Sequence, residues 1–321
     1  MSPAKLFACV AALVIASASA HAQSYPTKSI RVMIPFGAGS ATDVVPRIAL
    51  EQMSSQIGQP VIVENRGGAG GTIGTAAAAK ADPDGYSLLI TSSAHTLAPA
   101  LYANLPYDPG KDFVAVGVVG LSPNVMIMAP SRGIKTIQDF VAQAKAKPGS
   151  FSFATLGIGS GVHMSAERFR LSAGYEAVHV PFRGGAEALT EVIAGRVDYY
   201  FCPLATALPF IQQGQLVPLV ISSPKRSSVL PDVPTTVEAG YPDSDYPIWI
   251  GMFAPAGTPK PIVDKLNAEL RKALDSPQVK KRFGELGVEE SWLTPAEFDA
   301  RVKREIEEMG AFAKRAGMKA N

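Results

Sequence analysis

The chain has 321 residues, is 47% hydrophobic, and carries 30 lysines and arginines against 28 aspartates and glutamates. A net charge of +2 gives no electrostatic case for nucleic acid or an anionic membrane surface as partner. Length alone predicts two domains, and two cysteines (Cys9 and Cys202) are too few for a disulfide framework.

Met1 to Ala22 has the layout of a secretory signal peptide: Lys5, an apolar run from Leu6 to Ala16, and Ala20-His21-Ala22 as a small-x-small cleavage site. The run is too short to span a bilayer comfortably, which disfavours an uncleaved anchor. Cleavage leaves a chain starting at Gln23 with Cys202 as its one cysteine, so the exported fold must rest on its core.

The mature chain opens on Ile30-Arg-Val-Met-Ile, a β-branched strand that breaks at Pro35 and passes through Phe36-Gly37-Ala38-Gly39-Ser40-Ala41-Thr42. Thr42 is placed to cap a helix to about Ile57, with Val45, Ile48, Ala49, Met53 and Ile57 on one face. Pro46 falls in the first turn, where its missing N–H does no harm. Val61 to Glu64 reads as the next strand and enters the glycine loop Asn65 to Thr72; a helix over Thr75 to Lys80 and a strand over Ser87 to Thr91 follow. Strands separated by helices predict a parallel-rich, helix-covered sheet whose ligands gather at the carboxyl ends of the strands. The loops 36–42, 66–72 and Ser92-Ser93-Ala94-His95 all lie there.

The apolar region Phe113 to Ala129, interrupted by Gly117, Gly120, Ser122, Pro123 and Asn124, reads as two strands joined by a turn. Thr136 to Asp139 resembles a capping box. The opening pattern then recurs twice: strand Phe151–Ala154, loop Thr155 to Gly161 and a helix to Leu171; strand Val178–Val180, loop Phe182 to Gly185 and a helix to about Ala194. Strands Val197–Cys202 and Leu216–Ile221 flank a helix near Ala205 to Gln213. A proline-rich path from Pro224 to Pro247 leads to strand Ile248–Ala254. Helices over 259–274 and 277–286 come next, and a last helix begins at the capping box Thr294-Pro295-Ala296-Glu297 with a charged, solvated face.

Nucleotide chemistry finds no support. No glycine loop completes the dinucleotide fingerprint, Thr42, Ile73 and Val162 standing at the third-glycine positions, and no Gly-Lys-Ser/Thr loop occurs. Gly159-Ser160-Gly161 lacks the spacing of a nucleophile elbow, and His95, His163 and His179 lack metal-ligand spacing. No nucleophile and base can be named as a set, so the reading is a binding protein without catalysis, cofactor or metal.

What remains is capture of an anion by neutral donors at helix N-termini. Gly37, Gly39, Ser40 and Thr42, with Ala38 and Ala41 among them, supply backbone N–H groups and hydroxyls, and Ser160 and Gly161 do the same in the second half. Gly70, Ser92, Ser93, Thr155 and Gly184 complete the strand-end set. At any one loop the alternative is an ordinary tight turn, since glycine is its default residue; recurrence in both halves favours the anion reading. Arg66 and Arg183 either clamp a carboxylate or brace their loops. His95 and His163 read as loop-fixing groups or donors. Phe36, Phe182 and Phe201 are candidate pocket walls, with the core as the alternative.

Five ordered segments carry a resemblance. They are Pro35 to Asp43, Asn65 to Gly71, Val180 to Gly184, Leu230 to Thr235, and Trp249 to Pro259. Together they resemble the Bug (TctC-type) extracytoplasmic solute receptors of tripartite tricarboxylate transporters, over essentially the whole mature chain. The resemblance implies a two-lobed α/β periplasmic binding protein (type II-like) with its ligand cleft between lobes. Lobe 1 would comprise residues 25–121 plus 247–321, and lobe 2 residues 122–246. It implies a monomer that hands a small carboxylate (dicarboxylate, tricarboxylate, acidic amino acid or aromatic acid) to membrane transporter subunits. Carboxylates would be held by the first strand–helix loop and by the loop matching Thr155 to His163. An exported hydrolase of a small carboxylate ester and a non-transport sensor are the alternatives. Three departures bear on the ligand: Ser40 where a second glycine is common, Gly67 in place of a usual proline, and Cys202 in a pocket-facing neighbourhood where a small residue is expected.

Overall fold

The computed structural model describes residues 25–246 and 248–318; the expected signal segment Met1–Ala22 lies outside them. Ten strands run in chain order: β1 Ile30–Ile34, β2 Val61–Asn65, β3 Ser87–Ser92, β4 Phe113–Ser122, β5 Asn124–Met128, β6 Phe151–Thr155, β7 Ala177–Pro181, β8 Tyr199–Pro203, β9 Val217–Ser222 and β10 Ile248–Pro255. The α-helices are α1 Ala41–Ile57, α2 Thr72–Ala79, α3 Ala94–Leu101, α4 Ile137–Ala146, α5 Gly161–Ala173, α6 Gly185–Ile193, α7 Leu204–Gln212, α8 Lys260–Leu274, α9 Pro277–Glu285 and α10 Pro295–Arg315.

The strands form two five-stranded sheets, ordered β2-β1-β3-β10-β4 and β7-β6-β8-β5-β9. Three consecutive strands of each sheet pair parallel, as the strand–helix alternation predicts; β10 in the first and β5 in the second pair antiparallel with both neighbours, so four strands of each sheet run the same way. In β1 the alternation Ile30, Val32, Ile34 points into the core, where these residues pack with Ile48 of α1, Leu88 of β3, Ile250 of β10 and Leu266 of α8. The other face of the first sheet buries Trp249, Phe253 and Phe298. The second sheet has one core around Phe140, Phe153, Phe169, Tyr199 and Phe201, and another around Val125, Val162, Tyr200 and Leu208.

The two sheets are joined where strands cross between them. The region Phe113 to Ala129 does hold two strands, but they part into different sheets instead of pairing through a turn. Pro123 alone separates β4 from β5; it has no N–H to give a ladder, and its carbonyl accepts from Leu204 N. β10 begins at Ile248, which pairs with Ser122 of β4.

Three local expectations are corrected. The cap of α1 is Ser40 (φ −71°, ψ 160°) and not Thr42, which lies inside the first turn. Ser92 to His95 is not all loop, because α3 starts at Ala94; that helix is buried almost all round and so shows no amphipathic period. On α10, Glu305 is more than a solvated charge: it accepts from Trp249 Nε1 at 2.7 Å and from Arg301 Nε at 2.6 Å, tying the helix to β10. The Thr294–Glu297 capping box is complete on both sides.

Candidate functional site

Loops from the carboxyl ends of both sheets meet face to face. A methyl group on Gly37 would lie 3.5 Å from the Arg183 carbonyl oxygen and 3.6 Å from Gly184 Cα. One on Gly185 would lie 3.9 Å from Gly39 O and from Ser40 Cα, and one on Gly157 would lie 3.7 Å from Gly70 N. A Cβ on Gly70 (φ +64°) would stand 2.7 Å from the Ile158 carbonyl oxygen, a backbone atom, and 3.1 Å from the Tyr102 hydroxyl. The lobes are therefore closed on each other, and glycines sit where they touch.

The one acid of the first loop is tied up by neighbouring donors. Asp43 is buried, and its carboxylate accepts from Gly39 N (2.9 Å), Arg47 Nε (2.8 Å) and Asn65 Nδ2 (3.0 Å). Asn65 also donates to Phe36 O at 3.0 Å, so the end of β2 braces the turn. Asp43 is thereby saturated by its own loop and lends no free negative charge to the cleft. The Ser40 hydroxyl is buried with no hydrogen-bond partner, and no side chain caps α1. The amides of Ala41 and Thr42, at the head of that helix, have no carbonyl within it to bond. A buried hydroxyl without a partner costs stability and calls for an explanation. Here it stands where a helix dipole favours negative charge.

The second-lobe loop is fixed by its own side chains. Ser160 donates to Gly157 O at 2.8 Å and accepts from His163 N at 3.4 Å, so it is the N-cap of α5. Its hydroxyl is thus spoken for, and the groups left at this helix head are the amides of Gly161 and Val162. Thr155 Oγ1 accepts from Gly157 N at 3.1 Å and meets His179 Nε2 at 2.5 Å. Gly159 N donates to His163 Nδ1 at 3.4 Å, which requires that nitrogen to be unprotonated. Burial first, then the neighbouring His179 and Arg170, lowers the His163 pKa to about 3, so the acceptor form persists at neutral pH. His179 is lowered as well, chiefly by burial.

Other predicted site residues fall elsewhere. His95 lies inside the first lobe among Tyr107, Phe113 and Phe253, and burial lowers its pKa to about 4. It is a core histidine, because the helix that carries it turns it inward. Phe201 and Cys202 are fully buried on opposite faces of β8, in separate cores, and burial pushes the Cys202 thiol well up. Neither is a cleft wall. Phe36 is mostly core, with its ring against Gly71. Phe182 is half-buried on the second lobe, and its amide bonds Thr155 O. Ala38 is exposed, while Ser92 and Ser93 are buried, the Ser93 hydroxyl approaching that of Tyr246 without closing to a hydrogen bond. Arg66 and Arg183 are exposed and so do not form a buried clamp. Sequence reasoning missed Tyr102, the Ile158 carbonyl and the bracing role of His179; backbone contacts between lobes leave no compositional signal. Among the described residues no group of three histidine, cysteine or acidic side chains could hold a metal ion.

Residues 45–318 match the family described as "Tripartite tricarboxylate transporter family receptor". The chain belongs to that receptor family. Three solved structures are similar over nearly its whole length. The periplasmic binding protein BugD is 35% identical, with a TM-score of 0.87, covering 92% of this chain and 100% of its own. Rpa4515 of R. palustris, solved with adipate, is 30% identical with a TM-score of 0.88 and covers 92% and 100% respectively. MatC from Rhodopseudomonas palustris, solved with malate, is 33% identical with a TM-score of 0.84 and covers 89% and 99%. The receptor is a two-lobed periplasmic solute-binding protein of the Bug type, and it is not an enzyme.

Proposed function

We propose that this receptor closes on a small organic acid with two carboxylates and delivers it to the membrane subunits of a tripartite tricarboxylate-type transporter. In this reading it acts as a monomer, released into the periplasm by cleavage after Ala22. Lobe 1 comprises residues 25–121 and 247–321, lobe 2 residues 122–246. The observation that carries the reading is the unpartnered, buried Ser40 hydroxyl at the head of α1, in a closed cleft whose opposite wall is headed by α5 and α6. One carboxylate takes Ser40 Oγ with the amides of Ala41 and Thr42; the other takes the amides of Gly161 and Val162. Donors to an ionised oxygen are the stronger class, and a buried carboxylate needs them. Binding at both walls favours the closed form, as a ligand that drives closure must. The adipate and malate of the related structures support the diacid.

Thermal-shift titration with mono-, di-, tri- and aromatic carboxylates tests this. A diacid at 100 times its Kd stabilises by about 2.7 kcal/mol. Stabilisation by monoacids alone would remove the second socket, and no response to any acid would end the proposal.

A further inference from the structure

The socket contains no cation. Asp43 beside it is matched by Arg47, and its donors are amides and a hydroxyl whose dipoles act at contact range. Attraction of a dianion over longer distances must come from charges outside it. Two are placed for that. Arg66 follows the last residue of β2, and Arg183 lies in the loop after β7. Both side chains are exposed, and among the described residues neither joins an ion pair, whereas Arg47, Arg132, Arg170, Arg196 and Arg226 all do. They come from different sheets yet converge on one point. Gly37 lies against the Arg183 carbonyl, and a Cβ on Gly67, next to Arg66, would lie 3.3 Å from Gly37 N. The backbone that carries each arginine thus lies beside Gly37, one from each sheet, and each side chain is exposed without an ion-pair partner among the described residues. Two exposed acids on the same segments oppose them, Glu64 of β2 and Glu187 in the first turn of α6.

We infer that Arg66 and Arg183 steer the anionic ligand into the cleft without holding it: they set the capture rate, while the neutral socket sets the release rate. This rests on the proposed carboxylate function. For two cations about 10 Å from a dianion, the gain in on-rate is roughly 5- to 10-fold at 10 mM salt and about 2-fold at 0.15 M.

The test is stopped-flow tryptophan fluorescence on the full receptor with malate, and with adipate in parallel, at both salt concentrations. The double variant R66Q/R183Q should lose about 5- to 10-fold in on-rate at 10 mM salt and little at 0.15 M, with its off-rate unchanged. Glu187→Gln should move the on-rate the opposite way. Identical on-rates for wild type and R66Q/R183Q at both salts would overturn steering while leaving the carboxylate reading intact. An off-rate that rises in R66Q/R183Q would make the arginines ligands and also overturn it. Unchanged binding with lost uptake would assign them to transporter docking instead. If the wild type binds neither diacid, the underlying reading fails and the inference with it.

Discussion

Gly70 offers the sharpest check on closure, because one added methyl group acts in the closed form and not in the open one. In the closed receptor a Cβ there would be 2.7 Å from the Ile158 carbonyl oxygen, a backbone atom of the opposite lobe that cannot rotate aside. The Tyr102 hydroxyl at 3.1 Å is freer to move. Restoring ordinary contact needs a displacement of about 0.5 Å or more, and such overpacking costs about 1–3 kcal/mol. Gly70→Ala should therefore weaken diacid binding by roughly 5- to 150-fold. The substitution also strains the backbone, since φ is +64°; that strain, about 1–2 kcal/mol, is common to open and closed forms. Gly58→Ala separates the two effects: Gly58 has φ +67° at the end of α1 and open space where its Cβ would go. Both variants should lose a few degrees of Tm, on the order of 2–4 °C per kcal/mol. Only Gly70→Ala should lose affinity by calorimetry and fail to compact in small-angle scattering on adding ligand. Equal affinities for the two variants would refute the reasoning.

Ser40→Ala removes a hydroxyl with no partner in the protein, so unliganded stability should hold or rise slightly. Diacid affinity should fall about 10-fold or more, read by calorimetry, since a hydrogen bond to a charged group contributes about 1.5–3 kcal/mol. His95 is buried neutral with its pKa lowered to about 4, so the unfolded chain takes up its proton first as pH falls. Its contribution is complete above an unfolded pKa near 6.5 and is lost progressively down to about pH 4, by up to roughly 3 kcal/mol. Urea unfolding at pH 7 and pH 4.5 should show a smaller acid loss in His95→Phe than in wild type; equal losses would remove His95 from the acid response. Thr294→Ala breaks the capping box of α10 and should cost about 1 kcal/mol in urea unfolding while leaving ligand affinity unchanged.

Much of the architecture was legible because local patterns agree with the fold. Ile30, Val32 and Ile34 alternate, Thr294 and Glu297 cap, and Gly58 ends α1 in the left-handed conformation that favours glycine. The helix α3 was not legible: buried almost all round and containing Pro99, it has no polar face, and Ser93 at its N-cap position makes no side-chain cap bond. His95, Phe201 and Cys202 were assigned to the cleft from their neighbours in sequence, but a side chain one residue along a strand or helix faces elsewhere.

The sequence by itself determined the strand–glycine–helix units, the neutral donors at their turns and the membership of a receptor family, because these depend on short-range backbone chemistry and on the order of motifs. Tertiary structure alone decided which donors are free. Ser160 is consumed as the cap of α5, Asp43 is matched by Gly39, Arg47 and Asn65, and Ser40 is left over. It also decided where the lobes touch, since contacts such as Gly70 with Ile158 join residues far apart in the chain. Each hydrogen-bonding group has only a few partners to make, and which ones it has already made depends on three-dimensional neighbours that no local pattern encodes.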